Sequence, residues 1–143
     1  MFYVDSSLLV AYYCPEALSE RAEIFLTSQS PLSISTLTEL EVFSAVSRKV
    51  REKGLTRATA RRILAKFLSH LDGRFYTCFP VETQHVRLAR DWIGQFSTNL
   101  KSLDALHLAV ASLEGLTLVT ADQNLAESAK ILTKDVLLIK ADD

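Results

Sequence analysis

Residues 100–122 read LKSLDALHLAVASLEGLTLVTAD. Leu103, Leu106, Val110 and Leu113 recur at helical spacing, with Ser102 placed to cap the helix start. Gly115 suits the left-handed turn that ends such a helix. Leu116 to Val119 is then a short apolar run, readable as a buried strand of a parallel sheet. Asp104 falls in the first helical turn and Asp122 just past the strand. In an open α/β sheet both positions lie outside the carboxyl ends of the strands, where ligands bind.

The flanking sequence extends this alternation. Met1–Val4, Leu32–Ile34, Phe75–Phe79 and Val136–Ile139 read as further strands. Between them, helices are expected from about residue 6 to Tyr12, from Pro15 to Ser28, from Thr36 to Gly54, from Thr56 to Leu71, from Thr83 to Phe96 and over Asn124–Lys130. Thr36 and Glu39 form a capping-box pattern, and Leu40, Phe43, Val46 and Val50 read as the inward stripe of that helix. The stripes expected further on are Ala60–Ile63–Leu64–Phe67–Leu68–Leu71 and Val86–Ala89–Ile93–Phe96. Such alternation predicts one domain over 1–143, a three-layer α/β/α sandwich around a mostly parallel sheet. The tail after residue 139 is polar.

Composition narrows the function. No apolar run approaches the ~18 residues of a membrane span, and the N-terminus lacks the pattern of a secretory signal. Cys14 and Cys78 stand far apart, so neither a disulfide framework nor a zinc site is indicated, and a cytoplasmic location is expected. P-loop, dinucleotide and nucleophile-elbow motifs are absent. The net charge of −1 hides an asymmetry: eight of the sixteen basic residues lie between Arg48 and Lys66, opposed there only by Glu52. That segment has Arg48, Lys49, Arg51, Arg57 and Arg61 as candidates to face RNA or a protein partner, against the plainer reading of a solvated helix surface.

Four carboxylates share one address in this layout. Asp5 and Asp122 follow strands; Glu39 and Asp104 sit in first helical turns. Singly, each can be a cap or a complement to the helix dipole. Together, on one sheet edge, they would repel unless a cation neutralised them. Hard oxygen ligands without Cys or paired His select Mg2+ or Mn2+, and that chemistry suits phosphodiester hydrolysis. Glu41 competes with Glu39, but it points to another side of the helix, and the first-turn position favours Glu39. His107, three residues after Asp104, can look the same way, though a His in an apolar helix is more commonly half-buried and hydrogen-bonded.

The blocks Phe2-Tyr3-Val4-Asp5-Ser6-Ser7, Ser35-Thr36-Leu37-Thr38-Glu39-Leu40, Leu103-Asp104-Ala105-Leu106-His107-Leu108-Ala109 and Leu118-Val119-Thr120-Ala121-Asp122 resemble the PIN domain, and within it the small VapC-type toxin ribonucleases. The resemblance spans the chain. It implies that Asp5, Glu39, Asp104 and Asp122 hold Mg2+ or Mn2+ and that the protein hydrolyses single-stranded RNA. It further implies that Thr120 and Ser6 assist them, that the protein is a homodimer, and that a cognate antitoxin blocks the site. Ser7 stands where the family often has Asn. The competing expectations are a non-catalytic binding module of similar fold and a phosphatase with an Asp nucleophile. The second would usually want another Asp at the position of Ser7.

Overall fold

The computed structural model describes residues 1–133 and 135–141; the end of the polar tail, Asp142 and Asp143, lies outside them. Five strands, β1 (Phe2–Val4), β2 (Leu32–Ser35), β3 (Tyr76–Phe79), β4 (Thr117–Thr120) and β5 (Val136–Leu138), form one sheet in the order β3-β2-β1-β4-β5. Every pairing is parallel. Tyr3 lies beside Ser33 on one side and Leu118 on the other, so β1 is central. The chain leaves β1 toward β2 and later returns to its other side as β4. That reversal opens a crevice at the carboxyl ends of β1 and β4.

Among the described residues, seven helices cover the sheet: α1 (Ser6–Tyr13), α2 (Ser19–Ser28), α3 (Thr36–Arg51), α4 (Arg57–Asp72), α5 (Thr83–Gly94), α6 (Ser102–Leu113) and α7 (Gln123–Leu132). Strand residues alternate between the faces, and each face has its own apolar cluster. Val4, Leu8, Leu9, Ile34 and Phe67 pack with α1 to α4. Tyr3, Trp92, Leu108, Leu118 and Leu125 pack with α5 to α7. The result is the expected α/β/α sandwich, with an all-parallel sheet. Among the described residues no helix is long and apolar enough to cross a membrane.

Several local expectations shift. The N-cap of α3 is Ser35, with Thr38 reaching back to the Ser35 amide (3.1 Å), so the Thr36–Glu39 box is not formed. Glu82 rather than Thr83 caps α5, and Lys101 rather than Ser102 precedes α6. The buried positions of α3 are Thr38, Val42 and Val46, while Leu40 is 66% exposed. In α5 the buried residues are His85, Ala89 and Trp92. Val86 and Ile93 instead line a shallow apolar groove with Leu103 and Leu106 of α6. Gly115 takes the expected left-handed conformation, φ 69°.

Candidate active site

Asp5 ends β1 and caps α1, accepting the Leu8 amide at 3.3 Å. It is 4% exposed, so its charge needs internal partners. Ser7 donates its hydroxyl to Oδ1 and Thr120 donates to Oδ2, both at 2.6 Å. Ser7 also accepts the Ala121 amide, and Thr120 accepts that of Asp122. The β4–α7 turn is thereby tied to Asp5. Burial still pushes the Asp5 carboxyl above its ordinary range, although these hydroxyls oppose the rise.

Asp122 caps α7 through Oδ1, accepting the amides of Asn124 (2.9 Å) and Leu125 (3.2 Å). Asp104, in the first turn of α6, lines the same cleft as Asp122, a space of about 180 Å³ that also takes in Lys101, Asn99, Asn124 and Ser128. Among the described residues, the Asp104 carboxylate makes no hydrogen bond or ion pair. Burial raises its pKa first, then the charge of Asp122, with Asp5 and Glu41 adding and His107 opposing. The Asp104 carboxylate therefore feels the charges of three others, those of Asp122, Asp5 and Glu41.

On α3, Glu41 rather than Glu39 faces this crevice. Glu41 receives the Ser6 hydroxyl at 3.0 Å and hydrogen-bonds Nε2 of His107. Burial alone would raise its carboxyl, but His107 and Ser6 outweigh that and hold it below the usual range. Glu39 makes none of these contacts and lends its charge to Cys78 on β3. The physical reason is the roll of α3. With Thr38, Val42 and Val46 inward, a position three residues after Thr38 faces the crevice, and one only one residue after it turns away. Of the two expected helpers, Thr120 binds Asp5 and Ser6 binds Glu41. Ser7, a departure from the usual pattern, is a direct partner of Asp5.

His107 is buried and connects the two helical layers. With Nε2–H given to the carboxylate, Nδ1 accepts the Tyr3 hydroxyl proton at 2.6 Å. Tyr3 also meets Ser35 at 2.8 Å and Thr38 at 3.2 Å, and its burial raises its pKa. Its placement in a strand gave no hint of this role.

Hard oxygen donors carrying uncompensated negative charge suit a divalent cation such as Mg2+ or Mn2+. The half-buried, unbonded carboxylate of Asp104 is the observation that favours the fit. In their present rotamers, no three His, Cys, Asp or Glu side chains among the described residues form a ready cation cage.

The basic candidates divide. Arg51, Arg57 and Arg61 line a groove of about 570 Å³ between α3 and α4, floored by Phe43, Val46 and Leu64. Lys49 lies 4.0 Å from Glu16, and Arg48 is exposed outside that groove.

Comparison with known proteins matches this architecture. The profile of the PIN domain covers residues 2–131. The chain is 30% identical over 138 residues to Ribonuclease VapC46 of Mycobacterium tuberculosis, covering 94% of this chain and 95% of that one. Among solved structures, VapC20 of M. tuberculosis, described as a sarcin-ricin loop cleaving toxin, superposes with a TM-score of 0.72 at 18% identity. That match covers 90% of this chain and 95% of that one. FitAcB of Neisseria gonorrhoeae gives 0.70 at 16% identity, over 99% and 97%. VapBC2 of Rickettsia felis, solved with a DNA fragment from their promoter, gives 0.66 at 19%, over 99% and 100%. A profile match over nearly the whole length and a relative alike from end to end place this chain in the PIN domain family.

Proposed function

We propose that residues 1–143 act as a single PIN-like domain that hydrolyses single-stranded RNA with Mg2+ or Mn2+, as the toxin of a toxin–antitoxin pair. The carrying observation is that the Asp104 carboxylate feels the charges of Asp122, Asp5 and Glu41 at the crevice. The name of the M. tuberculosis relative supports the ribonuclease reading, and the toxin–antitoxin complexes among the structural relatives support the partner.

Asp5, Glu41, Asp104 and Asp122 would hold the cation, Glu41 taking the place first expected for Glu39. When bound there, such an ion polarises a phosphoryl oxygen and lowers the pKa of water. The chain's own groups do the rest. Ser7, Thr120 and the Leu8 amide fix Asp5, while His107 and Ser6 fix Glu41. Asp104, whose carboxylate makes no hydrogen bond or ion pair among the described residues, has its oxygens open to the cation. Lys101, lining the same cleft, offers its ammonium to a phosphate oxygen. The α3–α4 groove, apolar with an arginine rim, suits an amphipathic acidic segment of an antitoxin. The exposed Val86, Ile93 and Leu103 of the α5–α6 groove suit a second copy of the chain.

Asp104→Asn tests the reading. It should abolish Mn2+-dependent cleavage of single-stranded RNA while the circular dichroism spectrum stays that of wild type; undiminished cleavage would remove the mechanism.

A further inference from the structure

The cleft of Asp104 and Asp122 does not end at the carboxylates. A second cleft, about 240 Å³, adjoins it and shares three lining residues, Asn99, Asn124 and Ser128. Phe96, Ser97, Thr98, Glu127 and Ile131 complete its lining. Phe96 follows the end of α5 with φ 57°, and it is 90% exposed. Lys53 and Arg74 adopt the same left-handed conformation after α3 and α4, but they are flexible cations that water solvates readily. At the rim of a polar cleft, the Phe96 ring offers an open aromatic face.

The shared residues have unspent hydrogen-bonding capacity. The side chains of Asn99 and Asn124 make no hydrogen bond among the described residues. Neither does the hydroxyl of Ser128, although that residue is only 6% exposed and lines both clefts. A carboxamide presents a donor and an acceptor side by side, which is the pattern on the edge of a nucleobase. Unstacked RNA bases are recognised by such edge contacts together with an aromatic face.

We infer that this second cleft is a nucleobase subsite: a base flanking the scissile phosphate stacks on Phe96 and sets its edge against Asn99, Asn124 and Ser128. The inference rests on the ribonuclease reading and deepens it, naming residues that select the RNA rather than cut it. Continuity of the two clefts decides the occupant. A phosphodiester held beside Asp104 delivers its neighbouring nucleoside into the adjoining space.

The test uses a short labelled single-stranded RNA of mixed sequence and an all-abasic ribose-phosphate chain of equal length. Affinities are read by fluorescence anisotropy on full-length protein carrying Asp104→Asn, which prevents turnover. Phe96→Ala should weaken the RNA about tenfold and leave the abasic chain unchanged, and Phe96→Trp should restore the loss. On cleavage-competent protein, Asn124→Ala should flatten the preference among homopolymeric RNAs. Equal effects of Phe96→Ala on both probes, or no effect on either, would overturn the subsite. Wild-type cleavage of the same RNA with Mn2+ separates the two levels. If cleavage occurs but Phe96→Ala changes nothing, only the subsite falls; if wild type neither binds nor cuts RNA, both fall.

Discussion

The half-buried Asp104 carboxylate has no hydrogen-bond donor beside it among the described residues, and burial and the neighbouring carboxylates favour its protonated form more than an unfolded chain does. Its carboxyl titrates near 3.8 in an unfolded chain and higher in the fold. Between those two values the folded state binds more protons, so the contribution of Asp104 to stability falls as pH rises through the window and is least favourable above it. Asp104→Asn should therefore stabilise the cation-free protein at pH about 7, by a few tenths of a kcal/mol after solvent screening. The gain should shrink toward zero at pH about 4; urea midpoints of the two proteins at both pH values measure it. The glutamates offer a sharper contrast. Glu41→Gln should lower Mn2+ affinity by about tenfold or more in calorimetric titration, and Glu39→Gln should leave it near that of wild type. A loss at Glu39 with none at Glu41 would reverse the assignment. Both residues are visible in the sequence, and the first-turn argument favours Glu39 although Glu41 is the one that faces the crevice. The stripe Leu40–Phe43–Val46–Val50 looks like the buried face of α3. Burial instead follows Thr38–Val42–Val46, because Thr38 is inside, bonded to the Ser35 amide and Tyr3, and polarity hid it.

Helix ends separate what local chemistry dictates from what it leaves open. Gly115 was legible because only glycine takes a left-handed residue without strain. A Cβ added there meets nothing within 4 Å, so Gly115→Ala should cost about 1 kcal/mol of backbone strain alone, read as a lower denaturation midpoint. Phe96 sits in the same conformation with a side chain that packs on nothing. Phe96→Gly should raise stability by roughly 0.5–1 kcal/mol, an outcome that thermal unfolding can check against the loss of RNA affinity expected for Phe96→Ala. No hydrophobicity pattern marks such a residue. Its spacing fits the expected α5 stripe Val86–Ala89–Ile93–Phe96, yet α5 buries His85, Ala89 and Trp92. The stripe read from periodicity is largely the face left open to the α5–α6 groove. Existence and order of the elements were readable from period and punctuation. Which face each helix turns inward was not, because these helices carry apolar residues on two sides and neighbours far away in sequence choose between them.

Across the whole molecule, sheet order is what gathers the site, and one strand's neighbours decide it. Asp5 and Asp122 hang from β1 and the strand paired with it, and the helices opened by β2 and by the 97–101 loop supply Glu41 and Asp104. Parallel pairing was legible from the alternation of apolar runs and helices; adjacency of β1 and β4 was not, since no local signal encodes which strands meet. Ions that bind only the folded state add stability by mass action. Mn2+ at a hundredfold excess over its dissociation constant should contribute about 2.7 kcal/mol, on the order of 10 °C in Tm for a domain this size. The same addition should leave the Tm of Asp104→Asn nearly unmoved, and an equal shift in both proteins would place the ion elsewhere.

The apolar clusters on the two faces of the sheet are packed independently, and the acidic side chains are shared out between them: Glu41 belongs to the α1–α4 side, Asp104 and Asp122 to the other, with Asp5 at the seam. Whatever draws the four together must therefore also fasten one half of the protein to the other. Loading the crevice should slow amide exchange along α3 and α6 in concert, so that the same charges that ready the protein for chemistry also act as its clasp.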